Sequence, residues 1–334
     1  MAKVTLRDVA DHAGVATSTV SRALTMPDRI AAETRARVMR SADELGYVPL
    51  SRSGRSRRGV VALLVPDVTN PFYFDIIRGT QTQLQAAGYL QLLVDTGESP
   101  HVESDNIERL LPMVDGIILT ATRLDTDTLL GFAERIPIVA VNRGSDDVPG
   151  ALLDTRVGLK QALDHLRSLN HTQIAFAAGP IASWQNAWRG RELEALAKER
   201  DMRLRVLGPY PPQLSSGAVA ADALLVTEAT ACIAFNDLLA IGMLQRLEQR
   251  GVSVPSQMSV IGCDDIFGAS FCSPPLTTIS GNAEQAGRIA TGKLVSRLNG
   301  NAPNGGPRVT ALSTHLLVRD SSGPALLRGG ASGS

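Results

Sequence analysis

Aromatic residues and cysteines are scarce in this chain of 334 residues. Phe, Trp and Tyr make up only 4% of it, so the core must be built mainly from Val, Leu, Ile and Ala. The three cysteines, Cys232, Cys263 and Cys272, form no C-x-x-C pair. Their odd number argues against a disulfide framework and fits a reducing compartment.

The chain also lacks long apolar segments and metal-ligand spacings. Its N-terminus, MAKVTLRDVA, has no apolar core of a signal peptide, and no apolar run approaches the roughly 18 residues of a membrane span. The His residues are scattered, and no G-x-S-x-G motif occurs. A run similar to a P-loop, Gly287 to Lys293, is followed by Leu294 where a magnesium-binding Ser or Thr is needed. We therefore expect a cytoplasmic protein without membrane contact, cofactor, bound metal or enzymatic activity.

Positive charge is concentrated at the N-terminus, although the net formal charge is zero. Residues 1–59 hold eleven Lys and Arg against six Asp and Glu, whereas residues 60–334 hold 22 against 27. A basic head on an acidic body is typical of a nucleic-acid reader with a separate regulatory domain.

Residues 4–46 show the pattern of three short helices. Thr5 is placed to cap the first helix, and Gly14 to make the tight turn after it. Thr17 is placed to cap the second helix, and Gly46 to end the third. Three helices of this length bury only a small core, which is typical of a module that docks on a ligand.

The second of these helices carries the candidate DNA-reading side chains. A recognition helix places its N-terminal residues in the major groove, where Arg22 can bond a guanine with two donors. Hydroxyl groups on this helix suit phosphate oxygens. On spacing alone, a helical hairpin without a DNA role remains the alternative. The candidate DNA contacts are Thr5, Thr17, Ser18, Thr19, Ser21 and Arg22, with Arg52 and Arg55 of the polar segment that follows.

From Val60 onward, short apolar runs alternate with amphipathic helical patterns. Continuous Val, Ile and Leu runs between such helices indicate parallel strands covered on both faces. About nine strands exceed one compact sheet, so we predict two doubly wound lobes with a ligand cleft beyond the carboxyl ends of their strands. The apolar runs begin at residues 60, 90, 115, 136, 173, 204, 231 and 258, and the helical patterns cover 72–87, 156–168, 184–198, 237–249 and 283–298.

A series of motifs runs through residues 4–322. They are TLRDVADHAGVATSTVSRAL (5–24), ETRARV (33–38), ELGYVP (44–49), VPDVTNPFY (65–73), DGII (115–118), FNDLLAIG (235–242), SVIGCDD (259–265), PPLTTI (274–279) and LVRDSS (317–322). Together and in this order they resemble the lactose-repressor (LacI/GalR) family of transcriptional regulators. The resemblance implies a bacterial homodimeric repressor that binds a palindromic double-stranded operator in the nucleoid, with an effector domain similar to periplasmic sugar-binding proteins.

The segment after the helices departs from that family. Family members usually carry a hinge helix with an A-x-x-L pattern, whose leucine enters the minor groove at the operator centre. Here the linker is about four residues shorter and Leu50 is its one apolar candidate. Its arginines suit the minor groove or the phosphates instead.

The resemblance also implies an effector site made of an Arg, of Asp and Asn groups that bond hydroxyls, and of aromatic rings. Asp237 is expected to be a helix N-cap and Asp265 to be structural. Trp184 and Trp188 fit core and cleft equally well. The candidate effector contacts are Phe72, Tyr73, Asp95, Arg143, Arg189, Tyr210, Asn236 and Asp264.

We predict a helix-turn-helix DNA-binding domain at 1–49, a linker at 50–59, an effector domain at 60–322 and a flexible tail at 323–334. The first lobe is expected at 60–154 plus 279–303, and the second at 155–278 plus 308–322. Because the tail has no heptads, we expect a homodimer. A sugar or sugar acid is the expected effector. A nucleoside or purine effector, an activator, a pure small-molecule binding protein and an α/β enzyme are the alternatives.

Overall fold

A computed structural model of the chain describes residues 4–25, 30–47, 58–144, 148–301 and 308–326. The chain forms two compact units, which divide between Arg57 and Arg58. The first unit is small and helical, and the second contains all the strands of the described residues.

The first unit consists of helices α1 (Leu6–Ala13), α2 (Thr17–Thr25) and α3 (Ala32–Glu44). Thr5 caps α1 in a capping box: its hydroxyl accepts from the Asp8 amide, and the Asp8 carboxylate accepts from the Thr5 amide. Gly14, at φ 63°, makes the turn into α2 because a residue without a Cβ adopts this conformation freely. Small apolar side chains from all three helices, including Val9, Val20 and Val38, form one core.

The predicted cap of α2 is wrong by one residue. The carbonyl of Ala16 accepts the first helical bond, from the Val20 amide, so Ala16 holds the capping position. Thr17 is therefore the first residue inside α2, with an exposed side chain.

The second unit contains two six-stranded sheets. Strands β1 (Val60–Val65), β2 (Leu90–Asp95), β3 (Gly116–Thr120), β4 (Ile138–Val141), β5 (Gly150–Asp154) and β11 (Val309–Ser313) form the first sheet. Their order is β11-β5-β4-β3-β1-β2, and all pairs are parallel. Helices α4 (Phe72–Ala86) and α11 (Ala283–Leu298) pack on one face, and α5 (Pro100–Leu110) and α6 (Thr126–Ala133) on the other. The side chains of β1 alternate between these two cores, as a period of two requires.

The second sheet repeats this plan. It contains β6 (Gln173–Ala177), β7 (Arg203–Leu207), β8 (Ala231–Ala234), β9 (Ser259–Cys263), β10 (Thr277–Ser280) and β12 (His315–Leu317). The order is β12-β10-β9-β8-β6-β7, with only the pairing of β12 to β10 antiparallel. Helices α7 (Arg156–Ser168), α8 (Trp184–Lys198), α9 (Gly217–Leu225) and α10 (Asp237–Gln249) accompany it, and one continuous apolar core lies between them.

Three of the predicted boundaries differ from the structure. Strand β10 lies in the second sheet through Ser280, so the chain returns to the first lobe after that residue and not at residue 279. Strand β11 pairs with β5 in the first sheet, so the last segment of the second lobe begins near Thr314 and not at residue 308. The predicted flexible tail is bound at its start: Gly323 donates to Ser259 Oγ, and the Ala325 amide donates to the Leu169 carbonyl. Residues 327–334 of that tail lie outside the described residues.

Helices α4 and α11 of the first lobe pack closely because glycines face the contact. A Cβ placed on Gly287 would lie 2.7 Å from the carbonyl oxygen of Ile76 on α4. A Cβ placed on Gly292, five residues further along α11, would have no atom within 4 Å. The two glycines therefore differ in what a methyl group would meet.

We predict that Gly287→Ala lowers the free energy of unfolding by about 1–3 kcal/mol, because one helix must move away from the other. Gly292→Ala is the matched control and should raise it by about 0.5–1 kcal/mol through helix propensity alone. Urea unfolding curves of the two variants measure both changes. Equal stability of the two variants would contradict the close packing.

Candidate functional site

A cleft lies between the carboxyl ends of the two sheets. Its cavity volume is about 30 Å³, far below the roughly 300–1,000 Å³ of ligand sites, so a ligand of sugar size fits only if the lobes move apart. Its walls come from both lobes. The first lobe contributes Asn70, Phe72, Tyr73, Glu98, Ala121, Arg123 and Asn142, and the second contributes Ser183, Gln185, Arg189, Pro212, Phe235, Asn236 and Asp264.

Arg189 is the central cation of the second-lobe wall. It lies on α8, is buried, and donates through Nη1 to the carbonyl oxygen of Phe235. Its guanidinium also lies over the Phe235 ring, 5.1 Å from the centroid. Among the described residues, its Nε has no hydrogen-bond partner. A buried donor without a partner is available to an acceptor atom of a ligand.

Asp264 faces Arg189 across 3.6 Å, although the two residues are 75 positions apart in the sequence. It follows β9 directly and has φ 120°, a conformation that non-glycine residues rarely adopt. Its amide donates to the Ile279 carbonyl, which fixes the turn. Burial raises the pKa of Asp264 to about 8, while Arg189 acts in the opposite direction. The carboxyl can therefore donate or accept a hydrogen bond near neutral pH.

The helix N-cap that the sequence predicted at Asp237 is Asn236 instead. Asn236 is the N-cap of α10, since its Oδ1 accepts from the Leu239 amide, and its Nδ2 donates to the Pro212 carbonyl. Asp237 is the first residue within α10; its carboxylate accepts from Thr278 Oγ1 at 2.6 Å and from the Ile266 amide. Asn236 still lines the cleft.

An ion pair forms part of the first-lobe wall. Arg123 donates through Nε to Glu98 Oε2 at 2.7 Å, and its Nη2 forms an ion-pair contact with the same oxygen at 2.6 Å. Its Nη1 donates to the Ala121 carbonyl, and its amide to the buried carboxylate of Glu103. Burial raises the pKa of Glu98 and of Glu103, and Arg123 opposes both shifts. Each nitrogen of the guanidinium therefore has a partner within its own lobe.

Phe72 and Tyr73 line the cleft, but three other predicted contacts point elsewhere. Asp95 is exposed and accepts from the amides of Val68 and Gly97, so it shapes the loops beside β1 and β2. Arg143 donates to the Leu124 carbonyl and Thr126 Oγ1. Tyr210 packs against the core of the second lobe. These three side chains do not line the cleft; each is turned toward its own lobe.

Asp265 and the two tryptophans have structural contacts. The carboxylate of Asp265 accepts from Arg319 at 2.7 Å and from Ser280 at 3.0 Å. Trp184 and Trp188 stack at 5.4 Å on α8. The Trp184 ring packs on Gly144 of the first lobe, where a Cβ would lie 2.5 Å from it. Trp184 thus belongs to the contact between the lobes.

Asn142 directly follows the apolar run of β4, a position that the sequence indicates as a site candidate, and it lines the cleft. Glu98, Arg123 and Gln185 were missed from the sequence, although Arg123 lies three residues after β3. Gln185 lies four residues before Arg189 on α8, on the same helix face, and that spacing was the available signal. Its Oε1 is buried without a partner among the described residues. No sequence signal distinguished Glu98.

The predicted DNA-reading face of the first unit is accessible. Thr17, Ser18 and Arg22 are exposed on α2, and Thr19 and Ser21 are half-buried. The Thr5 hydroxyl is exposed but also donates to Asp8 in the capping box. Arg52 and Arg55 lie outside the described residues.

Known proteins match both units. Residues 5–50 match the model of bacterial regulatory proteins of the lacI family, and residues 163–322 match the periplasmic binding protein-like domain. The transcriptional repressor CytR of Escherichia coli K12 is 30% identical over 95% of this chain and 96% of its own length. The repressor PurR of Vibrio vulnificus is 31% identical over 95% and 98%. A solved complex of the regulator CelR with cellobiose has a TM-score of 0.71 at 29% identity and covers 96% of this chain and all of that one.

A helix-turn-helix module joined to a two-lobed unit with a cleft defines a transcriptional regulator of the ligand-responsive class. The chain belongs to the LacI family of bacterial regulatory proteins. In the part of the chain that the structure describes, no helix is long and apolar enough to cross a membrane.

The raised pKa of Asp264 predicts a specific dependence of stability on pH. The folded protein holds this proton up to about pH 8, whereas an unfolded Asp loses it near pH 4. Folding stability therefore falls as pH rises through this window. Asp264→Asn cannot ionise, so its melting temperature should rise relative to wild type between about pH 5 and pH 8.5. Tryptophan fluorescence measures the melting, and Asp320→Asn, at an exposed site of the same lobe, is the control. A constant difference across this range would contradict the assignment.

Proposed function

We propose that this protein is a transcriptional repressor whose affinity for operator DNA is controlled by a small effector bound between its lobes. It acts without a cofactor and without enzymatic activity. The observation that carries the proposal is the cleft itself: both lobes contribute its walls, and the facing groups include Arg189 and Asp264. A ligand that contacts both walls has a different affinity for each lobe arrangement, and only such a difference can shift an equilibrium between two states.

The polar atoms of the cleft support a ligand that carries hydroxyl groups. Arg189 Nε is a buried donor and Gln185 Oε1 a buried acceptor, both without a partner among the described residues. A hydroxyl group accepts and donates at once, so a sugar or another polyol satisfies both. The regulator CelR in complex with cellobiose, which is similar in fold and sequence, supports the same class. The ring of Phe72 in the wall favours a nucleoside as the second candidate.

The DNA side of the proposal rests on the first unit. Its basic charge and the exposed polar residues of α2 suit the major groove. A homodimer would read an approximately palindromic operator with half-sites about 10 bp apart. Footprinting on the protein's own promoter, repeated at several salt concentrations, tests this. Protection of a single asymmetric half-site would contradict the dimer, and absence of any salt dependence would contradict DNA binding.

Arg22 is proposed to read a base. Arg22→Ala should weaken binding to the operator by about 1–3 kcal/mol, because a bidentate contact to guanine is lost. Affinity for random DNA, measured in the same buffer, is the control and should change little. An equal loss on both DNAs would place Arg22 on a phosphate.

Asp264 is proposed to bind the effector and not the DNA. A thermal-shift screen over sugars, polyols and nucleosides would first identify a ligand. Asp264→Ala should then keep its operator affinity and lose the effector response, because a ligand group is left unpaired at a cost of about 1–3 kcal/mol. Calorimetric titration with that ligand, beside a melting curve and Asp320→Ala as control, measures this. Normal ligand affinity in folded Asp264→Ala would exclude the role.

A further inference from the structure

The ion pair between Glu98 and Arg123 is largely buried in the first-lobe wall of the cleft. The Arg123 side chain is 3% exposed and that of Glu98 18%, yet both line the cleft. The hydrogen bond from Nε of Arg123 and the ion-pair contact of its Nη2 both fall on Oε2 of Glu98, and Oε1 accepts no hydrogen bond from Arg123. Within the described part of the chain, the first-lobe wall thus presents one carboxylate oxygen and a guanidinium whose charge is already matched.

Glu98 is held beside Arg123 by a backbone conformation that is strained for a residue with a Cβ. Gly97 and Glu98 are consecutive residues with φ 59° and 60°, in the left-handed region that disfavours a residue with a Cβ. The Glu98 amide donates to the Pro66 carbonyl at 2.8 Å, and the Gly97 amide to Asp95 Oδ1 at 2.7 Å. Strained conformations persist where the surrounding structure enforces them, and they concentrate at functional sites.

The opposite wall has the same composition. Arg189 and Asp264 face each other at 3.6 Å, so each wall carries one guanidinium beside a carboxyl group. Because burial raises the pKa of Asp264 to about 8, this second carboxyl group becomes a charged counter-ion only above about that pH. An anionic ligand would meet the Glu98 carboxylate, and above about pH 8 that of Asp264 as well, and it could bind Arg123 only by displacing Glu98. A neutral hydroxyl group can donate to a carboxylate oxygen without breaking either pair.

We propose that Glu98 determines the charge specificity of the cleft. By occupying Arg123, it restricts the cleft to uncharged ligands that carry hydroxyl groups and excludes sugar acids and phosphorylated sugars. This inference rests on the proposed function, since it assumes that the cleft is the effector site. It also makes a claim about Arg123 that can be tested before any effector is known: without the charge of Glu98, Arg123 becomes an anion site.

The test is Glu98→Gln, which keeps an oxygen for Arg123 but removes the charge. Inorganic phosphate is titrated into the full-length protein at about pH 8.5, where Asp264 is ionised as well. Both tryptophans of the chain lie on α8 beside Arg189, so their fluorescence follows the cleft and not the first unit. The variant should bind phosphate roughly tenfold or more tightly than wild type, against sodium chloride of equal ionic strength.

Glu108→Gln is the matched control. Glu108 forms a two-bond ion pair with Arg135 in the same lobe, but that pair is half-exposed and away from the cleft. This variant should bind phosphate as wild type does. Equal phosphate affinity in Glu98→Gln and wild type, or an equal gain in Glu108→Gln, would overturn the proposal.

Matched pairs of neutral sugars and their uronic acids, such as glucose and glucuronate, provide the second arm. Wild type should bind only neutral members, and Glu98→Gln should gain affinity for the acid of any pair whose sugar binds. Tighter binding of an acid than of its parent sugar by wild type would overturn the proposal. If wild type binds no sugar while Glu98→Gln still gains phosphate binding, the effector class of the proposed function fails and the role of Glu98 stands.

Discussion

Three chain crossings between the two sheets are the constraint on which the second unit depends. The chain leaves the first sheet after Asp154, returns after Ser280, and leaves again at Thr314. Since the lobes share three connections, neither can turn its carboxyl ends away from the other. Parallel strands bring all their carboxyl ends to one edge, so the residues that follow them meet across a single cleft.

The crossing segments lie close together, and this arrangement determines how the lobes can move relative to each other. Thr314 Oγ1 donates to the Asp154 carbonyl and joins the first and third crossings. A Cβ on Gly158 would lie 2.8 Å from the same hydroxyl oxygen, so α7 packs directly on these segments. Rotation of one lobe about these few residues is the motion that leaves both sheets intact. An effector in the cleft would lie against the pair of Arg189 with Asp264. Rotation of the lobes would also change the contact between Trp184 and Gly144.

Local patterns in the sequence predicted the elements far better than the directions of side chains. Helices α7, α8, α10 and α11 have the predicted bounds; each is 13–16 residues long, a length that favours a helix over a strand. The short strands β5, β10, β11 and β12 were not predicted, since three to five residues with Gly, Thr or His carry little signal. The position after a strand correctly placed Asp264 in the cleft but misplaced Arg143. There the chain turns at Asn142, with φ 61°, and this turn sends the next side chain to α6. Such a turn depends on tertiary contacts that a single sequence does not reveal.

Four residues that line the cleft have strained backbone conformations, which lower the stability of the fold. Glu98, Ala121, Asn142 and Asp264 all have positive φ, and each follows a different strand of the two sheets. All four line the cleft. A glycine at any of these positions would relieve the strain but would remove a Cβ or a polar group from the wall. Strain of this kind persists only where neighbouring bonds enforce it, as the Ile279 carbonyl does for the Asp264 amide. The polar groups of the cleft are therefore held in place before a ligand arrives, so that binding need not order them.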